Sequence, residues 1–448
     1  MVELLIIASR YIFLVLISVF LLQSVVILLA QNRKINPHAA KAASVSQRVV
    51  IFMVHILAFS ILSLGDAHPT VKTAALQVGA AFFIFFILAL ILIKIFYKNA
   101  CPLIINCLFL LMDLGIIIIT RVVPDLALRQ LIFMAAGFML ILFIPVILKV
   151  IPKTDSLSLL YLIVGGVLLA SPFLFGVTKG GATNWVAFNI ASSEISFQPS
   201  EAVKFIFVFY LASVFRKERK LSGLIAPIAV SMLFILILVY QRDLGASLIY
   251  FLTFIAMLYI AENKPLLVLS AFAAFSAACV IAYKMFAHIR ERVEAWLNPF
   301  ADVADTGYQI AQSLFAAGTW GPLGSGLTRG LPGYIPAVES DFVFSAICEE
   351  FGVIFGLALI GVYIVIFIRG MEISLVAESK YHKMLAAGFA AMLCFQTFLI
   401  IAGNMRFLPL TGVTLPFISY GGSSIVVSLS MAGVIIWTAG IDTDAAGE

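Results

Sequence analysis

The chain has 448 residues, of which 63% are hydrophobic and 11% charged, and its formal net charge is +5. A mean hydropathy of +1.13 places it among polytopic membrane proteins and leaves no room for a separate soluble domain. The positive charge therefore gives no reason to expect a nucleic-acid partner, and its distribution along the chain indicates the topology instead.

Apolar segments long enough to cross a bilayer recur along the whole sequence. The first, Leu4 to Ala30, is too long for the core of a cleaved signal peptide and is expected to remain as a membrane helix. The pattern predicts an all-α polytopic membrane protein with about thirteen spans. They lie at about 4–30, 49–65, 74–97, 103–122, 130–150, 157–177, 201–215, 224–241, 244–261, 265–286, 341–368, 384–403 and 421–440.

Positive residues concentrate in alternate loops. If the N-terminus is outside, sixteen of the 28 Lys and Arg residues fall in cytoplasmic loops, and the densest group is "RKERK" at 216–220. The positive-inside rule therefore predicts an external N-terminus and a cytoplasmic C-terminus. The same assignment places the long loop 287–340 outside the cell.

Two regions interrupt the helical pattern. The loop 287–340 is rich in Gly and Pro, and loops of that length are usually functional. In 403–424 several Pro and Gly residues break a hydrophobic run, which is tolerated at membrane depth only where the backbone is buried in protein or lines a wet cavity. Both regions are predicted to face outward.

Three charged residues form the first constellation. Glu201 and Lys204 are three residues apart and share a helix face, and Asp243 lies at a tight turn between two later spans. An unpaired charge is costly in a membrane, so we expect an ion pair, with Lys204 bonded to Asp243 and Glu201 nearby. The same residues could line a hydrated cavity that holds a phosphate or a sugar. Asp113, inside another apolar run, is also expected to have a buried partner.

The segment "YIPAVESDFVFSAICEEFGVIFG" at 334–356 carries the second constellation. Asp341 and Glu339 lie at the start of an apolar helix, where an acid also suits a purely structural role as N-cap. Glu349 and Glu350 point about 100° apart on that helix, so at most one of them can face the same cavity as Asp341. For the other we expect a pairing or packing role.

The third constellation is a set of polar residues in the two irregular regions. Gln309 lies in the Gly-rich stretch 298–334, which has no P-loop pattern, and Ser419 and Ser423 flank the glycines of "LPFISYGGSS". Each of these side chains could contact a ligand or bond backbone groups freed by the broken helix. The five histidines and five cysteines are too dispersed to predict a metal site or a disulfide framework.

These stretches, in this order, resemble the SEDS family (shape, elongation, division and sporulation), the FtsW, RodA and SpoVE proteins of bacteria. The motifs that carry the resemblance are "FQPSEAVK", "LNPF" with "GYQIAQSL", "SDFVFSAICEEFGVIFG" and "LPFISYGGSS". The resemblance covers about 103–440 and implies a ten-helix core. We therefore divide the chain into accessory N-terminal helices at 1–100 and a catalytic membrane core at 101–448.

The resemblance implies a peptidoglycan glycosyltransferase of the bacterial cytoplasmic membrane that polymerises lipid II, the undecaprenyl-pyrophosphate-linked disaccharide peptide, usually with a class B penicillin-binding protein. It implies that Asp341 is the catalytic aspartate and that Glu201, Lys204 and Asp243 are the intramembrane charge cluster. Where the family usually has "LPEAHTDF", this chain has "IPAVESDF", so that Ala337 stands at the usual glutamate position and Glu339 replaces a histidine.

Asp341 would act as general base on the acceptor sugar, and a cation would stabilise the anionic leaving group. No nucleotide cofactor is expected. The candidates for the cation are a divalent metal and the side chains of Lys179, Arg329 and Arg406. Two other hypotheses stay open at this point, a flippase for lipid-linked precursors and a non-catalytic scaffold for a penicillin-binding protein.

Overall fold

The computed structural model describes residues 2–31, 36–65, 68–97, 100–151, 153–179, 182–190, 193–217, 221–303 and 307–445. The first helices are α1 (Val2–Gln31), α2 (Pro37–Gly65), α3 (Pro69–Phe96), α4 (Pro102–Val122), α5 (Pro124–Val150) and α6 (Ser158–Phe175). Three strands follow, β1 (Gly176–Lys179), β2 (Ala182–Ile190) and β3 (Ser193–Phe197). The later helices are α7 (Pro199–Phe215), α8 (Ile225–Tyr240), α9 (Leu244–Glu262), α10 (Pro265–Met285), α11 (Ala287–Leu297), α12 (Tyr308–Thr319), α13 (Val343–Phe351), α14 (Val353–Val376), α15 (Lys380–Asn404) and α16 (Gly422–Ala445).

Eleven helices of the described residues are long and apolar enough to cross a membrane. Two further predicted spans correspond to α7, with 17 residues, and α8, with 16 residues, which are shorter. The prediction of an all-α polytopic membrane protein is confirmed by this set of helices.

Proline sets the start of several helices. Pro69, Pro102, Pro199 and Pro265 occupy the first turn of α3, α4, α7 and α10. At this position the missing N–H costs nothing, because the first N–H groups of a helix have no intrahelical partner, and the fixed φ of proline already suits the helix. The helix boundaries are therefore determined locally.

Two compact units divide the chain. The first contains Met1–Phe138, Glu291–Arg369 and Thr397–Gly421, and the second contains Met139–Arg290, Gly370–Gln396 and Gly422–Glu448. The predicted division into an accessory module at 1–100 and a catalytic core at 101–448 stays a prediction.

Helix α4 is the centre of the first unit. Every residue from Leu103 to Thr120 is buried, and α2, α3 and α13 all contact the helix. A helix that is apolar all round is one that protein encloses on every side. Gly115 permits a particularly close approach, because a Cβ there would lie 2.7 Å from the carbonyl oxygen of Ile418. The non-helical chain around Ile418 therefore lies directly against α4.

Asp113, in the middle of α4, has the buried partner that the sequence predicted. Nδ1 of His55, in α2, lies 2.6 Å from Oδ1 of Asp113, and Nε2 of the same ring donates to the carbonyl of Gly79, in α3, at 3.1 Å. Asn106 of α4 adds a second polar contact by donating to Gln47 of α2 at 3.0 Å. These bonds connect α2 and α3 to the central helix, where each polar group would be costly without a partner.

The second unit contains a small antiparallel sheet that the sequence analysis did not predict. Its strand order is β1-β2-β3, and β2 pairs with β3 from Val186 opposite Phe197 to Ile190 opposite Ser193. In β2 the side chains of Asn184 and Val186 are buried whereas Thr183 is exposed, which is the alternation of a strand with one covered face. Such a short alternating stretch is easily missed between long hydrophobic spans.

The predicted span 341–368 is broken, and the prediction of one continuous helix there was wrong. Gly352 has a φ of 97°, which ends α13, and α14 begins at the next residue. Glycine adopts this conformation without the steric cost that a Cβ would bring. The predicted break in 403–424 is confirmed, since the chain is non-helical from the end of α15 to the start of α16.

Candidate functional site

Asp341 lies in a turn of the first unit immediately before α13. Its backbone N–H donates to the carbonyl of Ala337 at 2.9 Å, and Ala337 has the left-handed φ of 52°. The N-cap of α13 is Phe342, and no side chain caps the helix. The interpretation of Asp341 as an N-cap is therefore wrong. Its carboxylate makes no capping hydrogen bond to the helix that follows.

The surroundings of Asp341 favour its protonated form. Burial raises the pKa of Asp341 to about 6. The neighbouring carboxylate of Glu339 also raises the pKa, whereas a hydrogen bond from Ser340 and the positive charge of Arg292 lower it. An acid with a pKa near neutrality can accept a proton and release it again at physiological pH, as a general base must.

Backbone and side-chain bonds from the second irregular region hold the Asp341 turn. The N–H of Tyr420 donates to the carbonyl of Glu339 at 2.7 Å. The hydroxyl of Ser419 donates to the carbonyl of Ser340 at 2.6 Å and accepts from the N–H of Leu415 at 2.9 Å. The two residues that precede Asp341 are thus bonded to one short segment of non-helical chain.

That segment is itself anchored to neighbouring helices. Gln130 of α5 donates to the carbonyl of Ser419 at 3.0 Å, and Tyr363 of α14 donates to the carbonyl of Pro416 at 2.6 Å. All these groups are internal, so the freed backbone is satisfied by protein, as membrane depth requires. For Ser419 the sequence analysis left open a ligand contact or a bond to freed backbone, and in the structure its hydroxyl makes backbone bonds that hold the turn.

Glu349 and Glu350 both bond to the loop between α12 and α13. Glu349 accepts from the N–H of Leu331 at 2.7 Å. Glu350 accepts from Nε of Arg121 at 2.9 Å, and the same guanidinium donates to the carbonyls of Thr328 and Gly330 at 3.3 and 3.1 Å. Both acids have a pairing role, whereas the sequence analysis expected that role for only one of them.

The other predicted cations of this unit, Arg406 and Arg329, have hydrogen-bond or ion-pair partners. Arg406 donates to the carbonyls of Trp296 and Leu297 at the end of α11, at 2.9 and 2.6 Å. Arg329 lies 3.4 Å from Glu3 in an exposed pair. Gln309 lies in the first turn of α12 and is exposed. Lys179 has a side chain outside the described residues.

Arg292 is a functional candidate that the sequence analysis missed. It lies in α11, within the loop 287–340, and donates to the carbonyl of Leu410 at 3.3 Å. Its charge also acts on Asp341. The sequence signal that could have identified Arg292 is the charged stretch "AHIRERVEAWL", which has a helical pattern, whereas the rest of the loop is rich in Gly and Pro. Arg292 is therefore a cation within electrostatic range of Asp341.

The charge cluster of the second unit is arranged differently from the prediction. Lys204 donates to Glu201 at 2.7 Å and to the side-chain oxygen of Gln396, in α15, at 3.0 Å. The expected pair of Lys204 with Asp243 was wrong, whereas the closeness of Glu201 is confirmed. Glu201 and Lys204 are three residues apart on one helix and can pair without a residue from another helix. The side-chain oxygen of Gln396 is a second acceptor for the Lys204 ammonium group.

Asp243 is satisfied by neutral donors. Its Oδ1 accepts from the N–H of Ala246 at 3.1 Å as the N-cap of α9. Its Oδ2 accepts from Asn184 at 2.8 Å, Gln198 at 2.9 Å and Ser200 at 3.0 Å. Four neutral donors stabilise a carboxylate without a counter-ion, which is why Lys204 is free to pair with Glu201.

The predicted site residues fall into two groups. The first unit contains Gln309, Arg329, Glu339, Asp341, Arg406 and Ser419, and the second contains Glu201, Lys204, Asp243 and Ser423. Ser423, at the start of α16, accepts from the N–H of Gln198 at 3.4 Å. Within the part of the chain that the structure describes, no three His, Cys, Asp or Glu side chains cluster closely enough to hold a metal ion. No metal ligand is therefore assigned.

A comparison with protein families decides the relationship. The model of the cell cycle proteins FtsW, RodA and SpoVE matches residues 120–441. The chain belongs to the FtsW/RodA/SpoVE family. The resemblance inferred from the motifs is thereby confirmed. Because the match begins at residue 120, α1, α2, α3 and most of α4 lie outside the part that defines the FtsW/RodA/SpoVE proteins.

Individual relatives agree with this assignment. The peptidoglycan glycosyltransferase RodA of Mycobacterium bovis is 31% identical over 388 residues, covering 80% of this chain and 81% of that protein. The probable peptidoglycan glycosyltransferase FtsW of Geobacter sulfurreducens is 35% identical over 275 residues, covering 59% and 72%. A solved structure described as "structural coordination of polymerization and crosslinking by a peptidoglycan synthase complex" has the same fold, with a TM-score of 0.65 at 23% identity, covering 76% of this chain and 97% of the other.

Replacing Lys204 should destabilise this FtsW/RodA/SpoVE protein. Lys204→Met leaves Glu201 buried without its cation, since the side chains of Lys204 and Glu201 are only 1% and 10% exposed. Losing one partner of such a pair typically costs about 3–5 kcal/mol. We expect a lower membrane yield and a lower melting temperature for Lys204→Met, measured on detergent-purified protein.

Two further variants test the origin of that loss. Glu201→Gln combined with Lys204→Met removes both charges and should recover part of the stability. Lys264→Met is the matched control, because Lys264 pairs with Glu262 at 3.0 Å but is 42% exposed, and an exposed pair contributes only about 0–1 kcal/mol. Equal melting temperatures for Lys204→Met and wild type would contradict the pairing.

Proposed function

We propose that this chain is a peptidoglycan glycosyltransferase that polymerises lipid II at the outer face of the bacterial cytoplasmic membrane. The observation that carries the proposal is the Asp341 carboxylate, which is held in a bonded turn, is not used as a helix cap and has a pKa of about 6. Membership of the FtsW/RodA/SpoVE family and the names of the relatives support it.

The proposed reaction needs a base and a cation. Asp341 accepts the proton of the acceptor sugar's hydroxyl while the hydroxyl oxygen forms a bond to the anomeric carbon of the donor. The bond from that carbon to the pyrophosphate oxygen breaks, and the polyprenyl pyrophosphate leaves with the electron pair. Arg292, whose charge acts on Asp341, is the cation that we propose to stabilise the departing negative charge. Glu201, Lys204, Asp243 and Ser423 in the second unit keep the role of substrate-binding candidates.

Asp341→Asn should abolish polymerisation while the protein still folds. Asparagine has the size of aspartate, and α13 does not depend on this side chain for its cap. Asparagine cannot accept the acceptor's proton, and loss of general-base assistance costs about 100- to 10,000-fold in rate. The measurement is glycan chain formation from lipid II by purified protein in detergent, together with membrane yield and melting temperature.

The control for this variant is Glu339→Gln. It removes the neighbouring carboxylate, whose backbone rather than side chain holds the turn, and should keep most of the activity. Near-normal product from Asp341→Asn would remove Asp341 from the mechanism and make Glu339 the next candidate. Detergent has no second leaflet, so chain formation by the wild type also excludes a pure flippase or an inactive scaffold.

Polymerisation should decline below about pH 6. The base works as the carboxylate, and the pKa of Asp341 is raised to about 6, so protonation removes the active form as the pH falls below that value. In the acid limb kcat/KM should drop about tenfold per pH unit. Arg292→Met removes the charge that lowers this pKa, and its acid limb should therefore move to higher pH.

Arg290→Met is the matched control for that shift. Arg290 is exposed and lies two residues before Arg292, which places it on the other side of α11, since successive residues are about 100° apart. Its acid limb should coincide with that of the wild type. An Arg292→Met profile that also coincides with the wild type would show that Arg292 does not act on the base.

The orientation that we propose has an external N-terminus, an external 287–340 loop and a cytoplasmic 216–220 segment, from the distribution of Lys and Arg. Residues 218–220 lie outside the described residues, so the test uses Lys217. In a variant without the five native cysteines, Val303→Cys should react with an impermeant maleimide on intact cells. Lys217→Cys should react only after permeabilisation, and labelling of Lys217→Cys on intact cells would overturn the topology.

A class B penicillin-binding protein is the partner that we propose. Its support is the similar fold of a chain from a peptidoglycan synthase complex. Co-expression of a class B penicillin-binding protein from the same genome should give a complex that copurifies and forms glycan faster than the chain alone. Absence of copurification and of any rate change would argue against this partner.

A further inference from the structure

Helix α1 lies outside the residues that define the family, yet it contacts the loop between α12 and α13. Arg10 of α1 donates from Nη1 to the carbonyl of Gly324 at 2.8 Å. A Cβ on Gly326 would lie 3.0 Å from Cγ2 of Ile6, and the ring of Phe13 meets the ring of Phe351 edge to face at 5.0 Å. These contacts all lie within the first unit.

The same loop completes the backbone hydrogen bonding at the break between α13 and α14. The N–H groups of Ser325 and Gly326 donate to the carbonyls of Glu349 and Glu350 at 2.8 and 2.9 Å. The carbonyl of Pro322 accepts from the first turn of α14 at 3.2 Å. Residues 322–326 therefore hydrogen-bond both the last turn of α13 and the first turn of α14. This restricts the positions of the two helices, because backbone groups freed by the break have no water to bond to at membrane depth.

The loop leads without interruption to Asp341. After Gly326 it is bonded to Glu349 through Leu331, and it ends in the Asp341 turn directly before α13. Residues 322–331 therefore connect α1 both to the loop that carries Asp341 and to the helix that follows it. A misplacement of about 1 Å can cost about 100-fold in rate.

We propose that α1 clamps residues 322–331 and that Arg10 is a positioning residue for the catalytic turn. The effect on rate rests on the proposed glycosyltransferase function, whereas the effect on the loop does not. The clamp gives the N-terminal helices, which lie outside the family match, a direct role in setting the geometry of Asp341.

The test compares wild type with Arg10→Met, Arg10→Lys and Val15→Ala as full-length purified proteins. Arg10→Met should lower kcat roughly tenfold or more with lipid II and leave KM nearly unchanged, because the contacts of the substrate itself are not altered. It should also speed hydrogen–deuterium exchange in peptides covering 322–331. Arg10→Lys keeps one donor for the carbonyl of Gly324 and should restore most of the rate and the protection.

Val15→Ala is the control, since Val15 is 59% exposed on the same helix, and it should match the wild type in both measurements. If Arg10→Met does not accumulate, Ile6→Ala decides, because it removes the contact with Gly326 and keeps every hydrogen bond of Arg10. Ile6→Ala should then give faster exchange in 322–331 and a lower kcat.

The failures of the two proposals can be told apart. Wild-type kcat with wild-type exchange in Arg10→Met overturns the clamp, and so does a loss of yield with unchanged kcat per folded molecule. A wild-type protein that forms no glycan refutes the proposed function. In that case the exchange measurement alone decides the clamp, and unchanged exchange in Arg10→Met overturns it.

Discussion

Backbone that leaves its helix at membrane depth must find hydrogen-bond partners inside the protein, and the region around Asp341 meets that constraint. Two non-helical stretches meet the requirement. Residues 322–326 bond the chain on both sides of the break at Gly352, and residues 415–420 bond the turn that precedes Asp341. The network that satisfies freed backbone therefore also holds the turn of Asp341, the carboxylate that we propose as the base.

Buried charged side chains likewise need partners inside the protein. Arg121 pairs with Glu350 and also donates to two carbonyls of the loop between α12 and α13. Asp243 instead accepts from three neutral side chains and from a backbone N–H at the N-terminus of α9. The carboxylate of Asp341 does not cap the helix that follows it, and burial raises its pKa to about 6. A carboxylate with incomplete compensation is chemically useful, since it can accept a proton at the working pH.

The N-terminal helices are integrated into the first unit through polar contacts. His55 connects α2 and α3 to the central helix α4, and Arg10 connects α1 to the loop that precedes the Asp341 turn. Polar groups in a membrane are expensive unless paired, so such bonds specify how helices pack. The N-terminal helices are thus bonded both to the central helix and to the loop between α12 and α13.

The sequence by itself determined the membrane class, most of the spans, the family and Asp341 as the catalytic candidate, because hydropathy, proline at helix starts and short motifs are local signals. Only the tertiary structure decided that Lys204 pairs with Glu201 and Gln396, that the charge of Arg292 acts on Asp341, and that α13 ends at Gly352. The sequence shows that a buried charge must have a partner. Which partner it takes depends on how residues far apart along the chain pack. It also depends on other bonds that the same side chain makes, as when Asp243 caps the N-terminus of α9.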